Sequence, residues 1–286
     1  LGATEIRRVF AEGGRFAERR RRFGLHLWYD VRFDESVPVS RAADRFATID
    51  GVEYIEPVYV IKSTDADAVY VPDNVIYTPS VAVTRTEMPF NDPMLSQQWH
   101  YNNEGENGFT AGADINLFEG WEVLGTKGDP EVIVAVIDSG VQWDHPDLAA
   151  NMWTNEAEMN GTEGVDDDDN GYVDDLYGWN FAPNYDSGEI VPGYHGTHIA
   201  GTIAAVNNNG EGVCGIAGGS GNGDGVRIMT CAIYDYMGYG TATPTGYVYA
   251  ADNGAVISQN SWGYSQMYSA IPEDMAVAMD YFIDNA

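Results

Sequence analysis

Apolar and polar positions follow two different textures along this chain. Residues 24–33 (GLHLWYDVRF) alternate and are rich in β-formers, which reads as a strand. Residues 39–49 (VSRAADRFATI) have helical spacing behind a serine that can cap the first turn. Residues 52–62 (VEYIEPVYVIK) read as a second strand, completing a small β-α-β unit. A polar stretch containing proline, 63–90, has no strong period and reads as a linker. From about residue 92 the pattern changes. Residues 132–138 (VIVAVID) are a continuous apolar run, the mark of a strand buried on both faces. Residues 198–206 are small, apolar and helically spaced. A second buried strand follows at 226–235, a helix at 243–255, a third strand at 255–263 and an amphipathic helix at 271–286 with Pro272 at its start. Strands alternating with helices predict a parallel α/β sheet, whose sites lie beyond the carboxyl ends of its strands. Asp138 ends one such strand, and Ser261, Trp262 and Gly263 end another. No internal repeat is visible.

Composition adds a lopsided charge. The 286 residues carry a net charge of −30. Residues 1–62 hold 11 of the 14 Lys and Arg and 10 of the 44 Asp and Glu; the remainder holds 3 basic against 34 acidic residues. Such a field repels nucleic acid and anionic membranes and suits divalent cations. No apolar run approaches the ~20 residues of a membrane helix. The basic run at 15–23 (RFAERRRRF) reads most simply as a charged helix face, with docking on the acidic remainder as the alternative. Cys214 and Cys231 sit in apolar stretches and read as buried free thiols; spacing does not exclude a disulfide.

A carboxylate at a buried strand end is costly unless paired. Asp138 has a candidate partner in His195, which opens the Gly-flanked stretch HGTHIAGTIAA (195–205). A carboxylate on one ring nitrogen fixes the tautomer and leaves the other nitrogen to take a proton from a hydroxyl. Two other readings stay open. His195 and His198, three apart, could ligate zinc with a carboxylate, although no HExxH glutamate stands between them. The chain could also be a calcium-stabilised, acidic, extracellular binding module without catalysis.

The segments at 132–148 (VIVAVIDSGVQWDHPDL) and 195–205 resemble the aspartate and histidine motifs of subtilisin-like serine proteases, in that family's order of Asp, then His, then Ser. SQNSWG (258–263) resembles the family's substrate-binding strand, with Trp262 where leucine is usual. The resemblance covers roughly 92–286. It implies an α/β fold: a parallel-sheet subtilisin-like catalytic domain, incomplete and represented by its N-terminal half, preceded by a small α+β propeptide domain. The expected divisions are 1–62 as propeptide, 63–90 as linker or propeptide tail, and 91–286 as catalytic domain. The propeptide is implied to lie in the cleft, through residues within 63–90. The resemblance implies a serine endopeptidase with Asp138 and His195 as catalytic residues. A substrate strand would lie beside Ser261, Trp262 and Gly263 on one side and Gly238 and Gly240 on the other. The family's Gly-Thr-Ser-Met-Ala-like nucleophile motif is absent from the 286 residues, so the missing C-terminal half of the catalytic domain is an expected partner and the chain alone is expected to be inactive. A secreted or cell-surface location follows from the propeptide resemblance and the acidity, not from a visible signal.

Calcium is expected at one or two sites. In VDDDDNGYVDD (165–175), Asp166, Asp168 and Asn170 alternate before Gly171, as in the opening of an EF-hand loop, and Tyr172 would offer its carbonyl. Tyr177 stands where the loop's closing glutamate would be, so Asp174 or Asp175 is the expected closing carboxylate. The resemblance implies a second site from Asp147, Val206 and Asn208, joined by Asp92.

Overall fold

Nine strands and seven α-helices form among residues 3–63, 88–105, 108–182, 185–234, 239–241, 244–264 and 271–286, the residues that the computed structural model describes. In chain order they are β1 (Ala3–Arg8), α1 (Ala17–Arg22), β2 (Tyr29–Phe33), α2 (Val39–Phe46), β3 (Val60–Ser63), α3 (Leu117–Leu124), β4 (Ile133–Asp138), α4 (Glu156–Met159), β5 (Gly178–Asn180), α5 (Tyr194–Ala204), β6 (Arg227–Ala232), β7 (Tyr239–Thr241), α6 (Thr245–Asp252), β8 (Ile257–Gln259), β9 (Trp262–Tyr264) and α7 (Glu273–Asn285).

Four strands form the central parallel sheet, in the order β5-β6-β4-β8. Its two inner strands explain the continuous apolar run at 132–138. Val134, Val136 and Ile228 face one layer, where they pack with Ala200 and Ala204 of α5. Ala135, Ile137, Met229 and Cys231 face the other, where they meet Val248 and Ala251 of α6 and Ala278 and Phe282 of α7. Both faces are covered by helices, so both sides of the pleat are apolar apart from Thr230, which is fully buried in β6. Cys214 and Cys231 are buried and free.

The N-terminal segment is packed into this frame. β1 and β2 pair antiparallel, and Phe10 and Leu25 join the cluster beneath α6 and α7. The basic run does not face solvent along its length. Arg20 is 2% exposed, and its Nε and Nη2 reach Asp252 Oδ2 at 2.8 and 2.7 Å. Arg19 pairs with Asp252 Oδ1 and donates to Tyr281 Oη at 2.8 Å, while Tyr281 Oη donates to Asp252 Oδ1 at 2.6 Å. Arg15 pairs with Asp168 at 3.0 Å, and its amide donates to the Asp169 carbonyl at 2.7 Å. Gly14 makes that approach possible, because a Cβ there would overlap the Asp169 carbonyl. Docking on the acidic remainder is therefore the arrangement adopted.

Several elements depart from the sequence reading. The strand expected at 52–62 forms a ladder only over Val60–Ser63; Pro57 lacks the donor that a ladder needs. The strand expected at 255–263 splits. β8 stays on β4, and β9 leaves to pair with β3. The strand at 24–33 starts only at Tyr29, after a 3₁₀ turn that Gly24 enters at φ 73°. β1, α3 and β5 carry too short or too mixed a pattern to be read in advance. Of the expected linker, residues 64–87 lie outside the described residues.

The buried Arg20–Asp252 pair yields a prediction. Arg20→Met leaves Asp252 with less compensation and should destabilise the chain by a few kcal/mol, ~3 at most because Arg19 and Tyr281 remain. The double variant Arg20→Met/Asp252→Asn should recover part of that loss in urea unfolding, since the fully buried charge is gone and the half-exposed Arg19 keeps Tyr281 and water.

Candidate active site

β4 delivers Asp138 to the carboxyl edge of the sheet with no exposed surface. α5 begins directly opposite and carries His195 in its first turn, 7% exposed. Their Oδ1 and Nδ1 atoms are 2.6 Å apart. A carboxylate at that distance assigns the proton to Nδ1 and leaves Nε2 as the ring's base. The Ser139 amide donates to the same Oδ1 at 2.7 Å. Burial pushes the Asp138 carboxyl above its ordinary range, and the His195 and Ser139 donors pull the other way. Asp138 Oδ2 and the Tyr234 hydroxyl are both buried without a hydrogen-bond partner among the described residues. The Asp138 charge adds to burial in keeping that phenol protonated.

The helix start is locked to the strand end by small residues. The Gly196 amide donates to Ser139 Oγ at 3.0 Å, Thr197 Oγ1 donates to the Gly193 carbonyl at 2.7 Å, and the Gln142 amide donates to Thr197 Oγ1 at 2.9 Å. A Cβ on Gly196 would stand 2.5 Å from the Gly140 carbonyl oxygen. Ser139 and Thr197 sit inside the two motifs, but their roles depend on the contact between them. His198 is exposed on α5, and among the described residues it joins no group of three converging metal ligands.

The expected substrate-binding strands flank one segment of the chain itself. β3 is the middle strand of an antiparallel sheet, β7-β3-β9. Ile61 pairs with Gly240 and Tyr264, Lys62 with Tyr239 and Gly263, and Ser63 with Trp262. Ile61 has no exposed surface and Ser63 is 6% exposed. Residues within 63–90 were expected here; among the described residues it is Val60–Ser63. Ser261 Oγ accepts from Gln259 Nε2 at 2.8 Å beside the end of β8. Gly238 lies outside the described residues.

The acidic loop closes differently from the expectation. Carboxylate oxygens of Glu158, Asp166 and Asp168 converge within 4.8 Å. Burial and the neighbouring Asp166 charge both push the Asp168 carboxyl up, against Arg15. Asn170 is buried, and its amide closes the turn onto Asp166 Oδ1 at 3.0 Å. Asp174 and Asp175 are not in that group. Asp174 is bent away at φ 56° and accepts from the Gly164 amide at 2.8 Å. Asp175 lies in the core, where Tyr249 Oη, Asn155 Nδ2 and Asn170 Nδ2 donate to it at 2.6, 2.7 and 3.0 Å. Burial pushes its carboxyl up to about 7. The Tyr172 ring packs edge-on to Trp179 and Tyr249. Glu158 escaped the sequence reading because it precedes the run on α4, with no motif spacing to mark it. Elsewhere, Asp92 and Asp147 are 5% and 3% exposed and meet the same loop. Asp92 accepts from the Asn208 amide at 2.7 Å; Asp147 accepts from Asn209 Nδ2 and the Val213 amide at 2.8 and 2.9 Å, and its carbonyl from the Val206 amide at 2.8 Å. Burial, with the Asp92 charge adding, pushes the Asp147 carboxyl up.

The profile of the Subtilase family matches residues 129–285, more than half of the chain and all of the sheet that carries this pair. The chain belongs to the subtilase family. Subtilisin-like protease 1 of Plasmodium vivax is 41% identical over 148 residues, 51% of this chain and 20% of that protein. Halolysin of Haloferax mediterranei is 32% identical over 145 residues, 51% of this chain and 22% of that protein. The chain thus spans a minor part of the length of the curated relatives it matches. Among solved structures, fervidolysin from Fervidobacterium pennivorans, described as a keratinolytic enzyme related to subtilisin, superposes with a TM-score of 0.51 at 21% identity, over 89% of this chain and 33% of that one. That likeness supports the subtilisin-like α/β fold.

In this subtilase the strand-helix contact should be sensitive to one methyl group. Gly196→Ala should cost about 1–3 kcal/mol of stability through overpacking. It should also abolish the downfield proton resonance expected from the short His195 Nδ1–H hydrogen bond.

Proposed function

We propose that this chain is the proenzyme part of a subtilisin-like serine endopeptidase, with Asp138 and His195 as two members of its triad. The observation that carries this reading is the 2.6 Å contact between buried Asp138 Oδ1 and His195 Nδ1 at the carboxyl edge of the sheet. The nucleophile is a serine from the C-terminal half of the catalytic domain, outside residues 1–286. Its hydroxyl attacks a peptide carbonyl. His195 Nε2 takes the hydroxyl proton and returns it to the leaving amine, while Asp138 stays ionised and stabilises the imidazolium. Without that serine the covalent step is lost, and only weak residual hydrolysis remains.

Residues 1–62 act as the propeptide domain, 63–90 as the linker or propeptide tail and 91–286 as the catalytic part. Support comes from β3, which occupies the place of a polypeptide substrate between β7 and β9. Trp262 and Gly263 bound that groove on one side and Gly240 on the other. Such strand addition takes its affinity from main-chain hydrogen bonds. The enzyme works in a secreted or cell-surface setting, a reading that rests on the propeptide resemblance and the acidity.

Calcium fits the two acidic places. Glu158, Asp166 and Asp168 offer an all-oxygen donor set, which suits a hard cation, with Arg15 and Asn155 also donating to Asp168 Oδ2 at 3.0 and 3.4 Å. Asp92 and Asp147 are two buried carboxylates in electrostatic contact, an arrangement that a cation relieves. When bound, calcium supplies charge neutralisation that fixes both loops.

In the enzyme expressed from its full reading frame, Asp138→Asn should lower kcat by about 10⁴-fold, and His195→Ala by at least as much. Retained endopeptidase activity in either variant refutes the assignment. A chelator should lower Tm, and Glu158→Gln should shrink that shift; a melting curve unmoved by chelation counts against both calcium sites.

A further inference from the structure

The groove that β3 fills has two unlike faces. Directly opposed residues of an antiparallel pair carry their side chains on the same face, with Cβ atoms about 4.5–5.5 Å apart, and successive residues alternate between faces. Ser63 stands opposite Trp262, and Ile61 opposite Tyr264, so these four side chains share one face. Lys62 stands opposite Gly263 on the other.

The first face is filled. Ile61 has no exposed surface and Ser63 is 6% exposed, whereas Val60, on the alternate face, is 43% exposed. Ile61 belongs to the main core cluster, and Trp262 and Tyr264 pack against that cluster. Their two rings meet edge-on with centroids 6.3 Å apart, and Tyr264 is edge-on to Tyr59 at 6.0 Å. Across Ile61 on β7 stands Gly240, where a Cβ would lie 2.3 Å from the Ile233 carbonyl oxygen. The second face is open: a Cβ on Gly263 would meet nothing within 4 Å.

Side-chain volumes on the filled face are complementary. Ile61 lies across from a residue with no side chain, and the Trp262 ring lies across from a small, buried serine. The ring is fixed by its packing on the cluster, and swinging it outward would expose apolar surface. A larger residue opposite must therefore displace the ring or lift off the ladder, and a close-packed site resists both.

We propose that Trp262 is a specificity-determining residue of the groove. It admits a small residue, Gly, Ala or Ser, at the place held by Ser63, and the preceding place, held by Lys62 beside Gly263, is far less selective. This rests on the reading that β3 occupies the place of a polypeptide substrate, and it adds which polypeptides that place accepts. Selection of this kind works by exclusion of the misfit.

The covering strand and a substrate use one groove, so the strand itself reports on it. The first arm uses the precursor expressed from its full reading frame, with His195→Ala in every sample to keep the segment uncut. Amide hydrogen exchange is followed at Ile61, Lys62, Gly263 and Tyr264. Ser63→Leu should be at least about tenfold less protected than Ser63→Ala, the low end of what one or two misfitting methylenes are worth. Adding Trp262→Leu to both should shrink that difference to about threefold or less, the coupling expected of residues in contact. Protection in β4 should hold in every variant. Equal protection of the two Ser63 variants overturns the proposal, as does a difference that Trp262→Leu leaves unaltered or a parallel loss in β4. The second arm uses the active enzyme and peptides that differ at one residue. From Ala to Leu, kcat/KM should fall at least about tenfold at the place of Ser63 and change less than about threefold at the place of Lys62. Trp262→Leu should narrow the first ratio, and equal discrimination at both places overturns the proposal. An enzyme that cuts no peptide refutes the functional reading, and the exchange arm still decides this one.

Discussion

The structure is organised around a carboxylate that has nowhere else to put its charge. Asp138 stands at the end of a strand buried on both faces, and its ionised form is tolerable only because His195 and the Ser139 amide hydrogen-bond to it. That demand fixes where α5 must begin. It also explains the small residues at the junction, since Gly193 and Gly196 let the helix start close against the strand end. The same demand makes the pair chemically useful: a buried partner on one ring nitrogen leaves the other as a directed base.

Around this centre the charge asymmetry becomes a mode of assembly. The near-neutral N-terminal segment brings Arg15, Arg19 and Arg20 to Asp168 and Asp252, and Glu56 to the amide end of α7. Two of these contacts are buried or half-buried, where water screens them least. These polar contacts add to the β3 ladder and to the packing of Phe10 and Leu25 in the core. They differ in kind: guanidinium–carboxylate pairs, and a carboxylate that accepts from the first amides of a helix. The Arg15 contact touches one member of the converging acidic group, so the N-terminal segment and the proposed cation would compete for the same carboxylate.

The main α/β frame was legible in advance because its strands are covered on both sides. A strand facing two helical layers has no polar alternation: residues 132–137 are an unbroken apolar run, and residues 228–234 are interrupted only by Thr230. Asp138 and His195 were legible for a related reason: an acid ending such a run and a histidine opening a glycine-flanked helix both conflict with their surroundings unless they meet. Asp166 and Asp168 stood out by their alternation before Gly171.

What sequence could not show were contacts between segments far apart in the chain. Glu158 joins the acidic group from a four-residue helix with no periodic signature. Asp174 and Asp175 had the right spacing, yet a left-handed turn and a tyrosine–asparagine cage took them elsewhere. The run at 52–62 had the composition of a strand along its whole length, but only Val60–Ser63 found partners, on β7 and β9. Local pattern records which residue types tolerate burial and which backbone shapes they favour. Which carboxylate meets which guanidinium, and which strand edge accepts which segment, is settled by packing distances that exist only once the chain has closed on itself.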